Sequence, residues 1–435
     1  MRRALIWLVV VAAAAVGAPP AAHAQAVPVG PDFTVGGDLD LSHCPVVAVD
    51  GARWFVVVFV TYFSWDATAC GFSDAGVWQG CQALDEWGID FRSVRPADIA
   101  AVGPDDFLAV WETCSWEPPT DPTWFIRGRR LSAHGVLLSD PFEVASSQVD
   151  FPRDPRVAAL PASRVVVVWV NDSSEGTDDS GSSIQARLFT IDGAALGPRF
   201  QVNTTTLGDQ SMPDVAAAPD GRFVVVWESE SSAGTDQSGI SIQRRRFDAD
   251  GLPVGNDEQV NTYTDSDQRL PRVACAGDGS FVIVWDSDGS SGDDGSSLSV
   301  QARLFEADGT PAGSDVQVNT YTDSTQSAPS VAMMNSGGFE VVWTSDGSPG
   351  DDDSSRSIQR QAFAADGGRL GQQLQVNTLI ELDQWAPDIA MNADGDFVVV
   401  WDDTITGLRG RIYRYPVLAD GFESGDTSAW SATVP

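Results

Sequence analysis

The chain has 435 residues, with 61 Asp plus Glu against 26 basic residues and a formal net charge of −35. Every basic residue is Arg. A surface of this sign repels nucleic acid and anionic lipid, so binding to polyanions is excluded as its main task.

Residues 1–24, MRRALIWLVVVAAAAVGAPPAAHA, have the layout of a secretory signal peptide. Arg2 and Arg3 give the positive start, Ala4 to Val16 the apolar core, and Ala22-His23-Ala24 the cleavage site. Cleavage leaves Gln25 as the first residue. The alternative is an uncleaved anchor, for which the apolar run is short. The mature chain is therefore expected to lack a transmembrane span, to be secreted, periplasmic or at the cell surface, and to be a monomer.

From Cys44 onward the chain repeats itself. Trp111, Trp169, Trp227, Trp285, Trp343 and Trp401 fall 58 residues apart, each closing an apolar run such as FVVVW. Three further markers keep the same step: the Pro series from Pro155 to Pro387, the Ile-Gln or Val-Gln pairs from Ile184 to Gln359, and QVNT at 201, 259, 317 and 375. CPVVAVDGARWFVVVF, from Cys44 to Phe59, is an earlier and divergent copy. Each copy offers four short strands, and DG pairs supply hairpin turns. The Val-rich run does not alternate, so both of its faces must be covered. Four-stranded sheets covered on both sides and repeated seven times predict an all-β, seven-bladed β-propeller spanning residues 25–418. The expected strand order within a blade is PxVA innermost (A), FVVVW (B), IQxRxF (C) and QVNT outermost (D). The last copy lacks QVNT. PDFTVGG at 31–37 is an unassigned strand, and the expectation is that it completes blade seven and closes the ring.

Blades one and two depart most from the repeat. Their B–C loops are rich in aromatics, and Trp65, Trp78, Trp116 and Trp124 are candidates to stack on sugar or peptide, or else to pack their own loops. Cys70 with Cys81 and Cys44 with Cys114 are candidate disulfides. Cys275 reads as a buried thiol. Gln210, Gln268, Gln326 and Gln384 stand just before strand A, where they serve either structure or ligand contact. Residues 419–435 leave the repeat as a C-terminal tail.

The pattern QVNT…PxVA…DGxFVVVW…IQxRxF resembles repeats of bacterial exported proteins, most strongly over residues 155–403. The tail DGFESGDTSAW resembles a segment recurrent at the ends of such proteins. The resemblance implies a propeller and no particular chemistry.

In an antiparallel blade the B–C and D–A loops share one face. In blades three to six these loops hold most of the loop carboxylates, so that face is expected to be strongly acidic. Asp286, Asp288, Asp293 and Asp294, then Asp346, Asp351, Asp352 and Asp353, surround Gly turns at spacings that can wrap Ca²⁺ with oxygen. No Glu closes the loop as in an EF-hand. The competing reading is a polar loop kept soluble by charge.

The mature chain has two His, His43 and His134, and neither stands in a triad or zinc pattern. The expectation is therefore a non-catalytic binding propeller whose partner is an extracellular glycan or protein. The alternative is a glycan-active hydrolase or lyase with a carboxylate pair in the channel.

Overall fold

The computed structural model describes residues 25–35, 42–61, 66–85, 98–115, 122–172, 176–178, 180–352 and 355–415. The architecture is a seven-bladed propeller of antiparallel sheets, as the repeat predicts. Blade four is representative: strand A is Gln210–Ala217, B is Phe223–Ser229, C is Ser241–Phe247 and D is Pro253–Gln259, hydrogen-bonded in that order. Each A strand packs against the A strand of the next blade around the full circle, including Gln384–Met391 of blade seven against Ser42–Val49 of blade one.

The B strands are the core. Val225, Val226 and Trp227 are fully buried, and so are the Trp residues that close the apolar runs of the other B strands from blade two to blade seven. This is the two-sided burial that a non-alternating run requires. Aromatic rings at the start of B and the end of C stack in register, Phe223 on Phe247 at 5.0 Å and Phe339 on Phe363 at 4.7 Å. The repeated Pro sits at a register shift in strand A, as between Ser211 and Asp214. A bulge is where a strand tolerates a residue without an amide proton.

One expectation needs correction. QVNT is not a strand throughout: D ends at its Gln, as in Phe200–Gln201 and Val316–Gln317. The next two residues do other work. The amide of Val260 donates to the Ile242 carbonyl (2.8 Å), and Asn261 Oδ1 accepts the Ile242 amide (3.0 Å). The side chain of Asn261 thus continues the ladder where the backbone leaves it.

Blade seven is closed by the N-terminus. Its strands Gln384–Met391, Phe397–Asp403 and Gly407–Arg414 are followed at the outer edge by Val27–Pro28 and Phe33–Val35, both antiparallel to the third. Asp32 accepts the Thr378 amide at 3.0 Å and lies 3.5 Å from Arg411. Asp315 does the same for Thr262 (2.7 Å), and Gln373 for Thr320 (2.8 Å), each reaching from the D strand of one blade to the loop of the preceding one. The N-terminal segment therefore supplies the repeat's own inter-blade contact.

Candidate functional site

The second residue of each PxVA segment points toward the axis. Around the ring these positions are Val46, Arg156, Asp214, Arg272, Ser330 and Asp388, with Asp98 at the same 58-residue step in blade two, where Pro96 stands one residue farther off. An innermost strand has no further strand to take its outward amides, and carboxylates of the preceding blade take them instead. Asp98 Oδ2 accepts the Val157 amide at 2.7 Å, Asp214 Oδ2 that of Val273 at 2.8 Å, and Asp388 Oδ2 that of Val47 at 2.8 Å. Ser330 Oγ donates to Asp388 Oδ1 at 2.7 Å. Arg156 lies 3.8 Å from Asp98 Oδ1. Among the described residues the side chain of Arg272 makes one hydrogen bond, to the Pro271 carbonyl (3.2 Å), and the charges of Asp214, Asp388 and Asp98 act on it from farther away.

A second tier lies where strand A begins. The residue before Pro takes a left-handed backbone, with φ of 52° at Leu270, 52° at Ala328 and 54° at Cys44. This costs side-chain-bearing residues energy and persists only where surroundings hold it. The residue after the Trp of the preceding blade does the holding. Glu228 accepts the Leu270 amide (2.7 Å), Asp286 that of Ala328 (3.2 Å) and Asp402 that of Cys44 (3.1 Å).

Burial shifts these groups. It pushes Asp286 up to about 8 and Asp402 to about 7, in both cases against the amide bond that favours the charged form. Asp98 rises to about 6 by burial, with Arg156 opposing. Asp388 and Glu228 are raised for the same reason, and burial lowers Arg272, beside the like charge of Arg156. Between the two tiers is a cavity of about 130 Å³. Val46, Arg156, Arg272 and Asp388 line it, together with the pre-proline and proline residues of blades one, six and seven. It opens where the A strands start, on the face of the D–A and B–C loops.

Among the described residues, the ligand and metal candidates named from the sequence do not line this cavity. Gln210, Gln268, Gln326 and Gln384 are fully buried inside their blades. Three accept the indole N–H of Trp227, Trp285 and Trp343 at 2.9–3.0 Å, and Gln384 accepts from Asn377 at 2.9 Å. Trp78 is on the outer strand of blade one, 58% exposed, with its indole N–H on Cys81 Sγ. Trp124 packs edge-on against Phe151 in blade two. Trp65, Trp116 and Asp353 lie outside the described residues, as does the tail.

The acidic loops hold themselves. Asp294 accepts from Asn319 (2.7 Å) and Ser296 (2.9 Å), and Asp352 from Asn377 (2.8 Å). Asp293 accepts from Gln317 (2.9 Å) and Asp346 pairs with Arg356 (3.1 Å), while Asp286 belongs to strand B. Asp288 and Asp351 are exposed. Among the described residues no three His, Cys, Asp or Glu gather as a metal site. Cys70 and Cys81 form a disulfide across paired strands. Cys44 and Cys114 are not bridged to each other: Cys44 is exposed, with its amide on blade seven, and Cys114 is buried in blade two.

The channel residues were not foreseen, because the position that carries them changes identity from blade to blade. The repeated Pro beside it was the available signal.

No family model matches the chain, and no curated protein matches it in sequence. Solved structures of similar fold include a polysaccharide lyase of family PL25, an ulvan lyase bound to -[GlcA(1-4)Rha3S]-, with a TM-score of 0.53, 9% identity, and coverage of 90% of this chain and 98% of that one. A protein of unknown function from Dyadobacter fermentans has a TM-score of 0.49 at 9% identity, covering 73% of this chain and 94% of its own. An α-L-arabinofuranosidase from Fusarium graminearum, in complex with an iminosugar inhibitor, has 0.47 at 13% identity, covering 73% and 92%. At such identities what is shared is the propeller fold.

Proposed function

We propose that this chain is an exported, non-catalytic binding propeller whose ligand is a glycan seated at the channel mouth. One observation carries the reading. Arg272 lines an open cavity, and its one hydrogen bond goes to a neutral carbonyl. A guanidinium so placed has donors left for hydroxyl or carboxylate oxygens of a sugar. Asp388 and Arg156 border the same space. The channel carboxylates already accept the amides that join blade to blade, so using them as a hydrolytic pair means breaking those joints. The same architecture hosts glycan chemistry in the ulvan lyase, which supports the ligand class by analogy of fold alone.

The test is a glycan array probed with the wild type and with Arg272→Ala. The expected result is a set of hits weakened at least tenfold, about 1.4 kcal/mol, by the substitution. Hits that bind both proteins equally overturn the placement. Millimolar Ca²⁺ followed by chelation belongs to the same experiment. Asp294 and Asp352 are taken by the Asn that follows strand D, whereas Asp288 and Asp351 are exposed, so a reversible rise in Tm would assign Ca²⁺ to the acidic face and no shift would count against it.

The second reading is a glycan-active enzyme. What favours it is Asp98, whose carboxyl is raised to about 6, as a general acid working near neutrality needs. Incubating the array hits with the protein and following product decides between the two. Turnover lost in Asp98→Asn would establish the enzyme.

A further inference from the structure

On the face opposite the channel mouth, blades two and four solve the same packing problem differently. The strand-C residue paired with the second residue of the apolar run of strand B faces the turn of the next blade. In blades three and five it is Leu188 or Leu304, and it packs on the turn glycine, Gly251 or Gly367. Blade two has Arg130 there, paired with Leu108 in the ladder, and blade four has Arg246, paired with Val224. Arg130 is neutralised inside the protein. Asp106, which precedes Phe107 in strand B, accepts two of its bonds in a fork (3.1 and 2.5 Å), and Asp192 of the blade-three turn accepts a third (2.5 Å).

Blade four lacks that fork. The residue preceding Phe223, in the position of Asp106, is Arg222. Arg222 is occupied by Asp220 (2.6 Å) and by the Ala307 carbonyl of blade five (3.1 Å). The turn carboxylate of blade five, Asp308, is exposed and is held below the usual carboxylate range chiefly by hydrogen bonds from Thr310, with a smaller contribution from the charge of Arg246. No ion pair within 4 Å holds Arg246 among the described residues. Where Asp106 fills blade two, blade four has a cavity of about 70 Å³. Arg222 and Arg246 stand at its edge, and its walls are apolar: Phe223, Phe247, Phe281 and Val254. Cys275 also borders it, with its thiol pushed up to about 12 by burial and so unreactive.

We propose that this cavity between blades four and five binds a small carboxylate with a flat or short apolar body. The carboxylate stands where Asp106 stands in blade two and takes the fork of Arg246, while the body lies against the three phenylalanines. Two guanidiniums at the rim of an apolar cleft select an anion over a neutral molecule of equal shape, because the neutral amide offers one uncharged acceptor in place of a charge-assisted pair. The site is separate from the channel mouth and does not depend on the glycan reading.

The experiment uses the full chain and 4-fluorobenzoate as probe, observed by fluorine NMR, with 4-fluorobenzamide as the neutral twin and octanoate as competitor. Saturable binding of the benzoate, at least tenfold tighter than the amide and displaced by octanoate, is expected. Arg246→Leu installs the residue of blades three and five and is expected to weaken the benzoate at least tenfold. Arg222→Asp rebuilds the blade-two arrangement, supplies the carboxylate from within, and is expected to do the same while raising Tm. No saturation by 10 mM, equal binding of the amide, or full binding by both variants overturns the proposal.

Discussion

Gln268 shows how a repeated polar residue can be structural. Its side-chain oxygen is the acceptor for the buried indole of Trp285 (3.0 Å), and its amide reaches the Asp265 carbonyl. Gln268→Leu leaves that indole without a partner, and a loss of about 1–3 kcal/mol is expected in urea denaturation. Asp286 makes a prediction about pH. Its carboxyl, raised to about 8, and that of Asp402, raised to about 7, hold protons more tightly folded than unfolded. Their stabilising effect is complete below pH about 4, the unfolded carboxylate range, and is lost as pH rises through 7 to 8. Asp286→Asn keeps an acceptor for the Ala328 amide and removes the titration. Calorimetry should show Tm falling from pH 5 to pH 9 in the wild type and falling less in the variant. The recurrence of these residues was legible in the sequence, but their partners were not. A Gln that returns in four blades, at 210, 268, 326 and 384, shows that something is satisfied each time. The partner of Gln268 is seventeen residues away and that of Asp286 forty-two, and only the folded blade brings them close.

The acidic B–C loop is the element to which the structure adds most. Its spacing of Asp around Gly fits a cation, and Asp236, Asp294 and Asp352 are each also met by an Asn that follows strand D. QVNT was read as a strand because Gln-Val begins like one, and its Asn lay hidden in the motif. That Asn completes strand C and pins the loop with one side chain. Asn261→Ala therefore removes the donor to Asp236 and the acceptor for the Ile242 amide together. Each orphaned group costs about 1–3 kcal/mol, and hydrogen exchange over 228–241 should accelerate with no comparable change in blade six. The Cys70–Cys81 bridge was legible from the spacing of the two Cys together with the expectation of export. It closes a short hairpin, and its reduction should cost about 3 kcal/mol in an unfolding experiment.

At the scale of the molecule, the seven-fold architecture was open to reading because six tryptophans keep one interval and the apolar run before each needs two covers. The channel was not, since its residues are the ones that break the repeat: Asp, Arg, Asp, Arg, Ser and Asp from blade two to blade seven. Positions that meet across an axis lie about one repeat apart in the chain, and no local pattern records their meeting. Closure was legible only in part. PDFTVGG looked like a strand, but Asp32 was not recognised as the counterpart of Asp315 and Gln373. Removing residues 25–35 strips the third strand of blade seven of its neighbour and takes Ala26 from the buried Arg360 (2.7 Å). The truncated chain should melt lower than the intact one and tend to associate through the bared edge.

The latch formed by Asp32 has a use at the bench. A free peptide of residues 25–35 carries the strand, the carboxylate for Thr378 and Arg411, and the carbonyl for Arg360, so it is a detachable key for the shortened protein. Added in excess, it should dock on that protein and restore melting toward the intact value, while a version with Asp32→Ala should do so more weakly. A fluorescent copy of the key would then report, by its anisotropy, how many rings in a sample stand open.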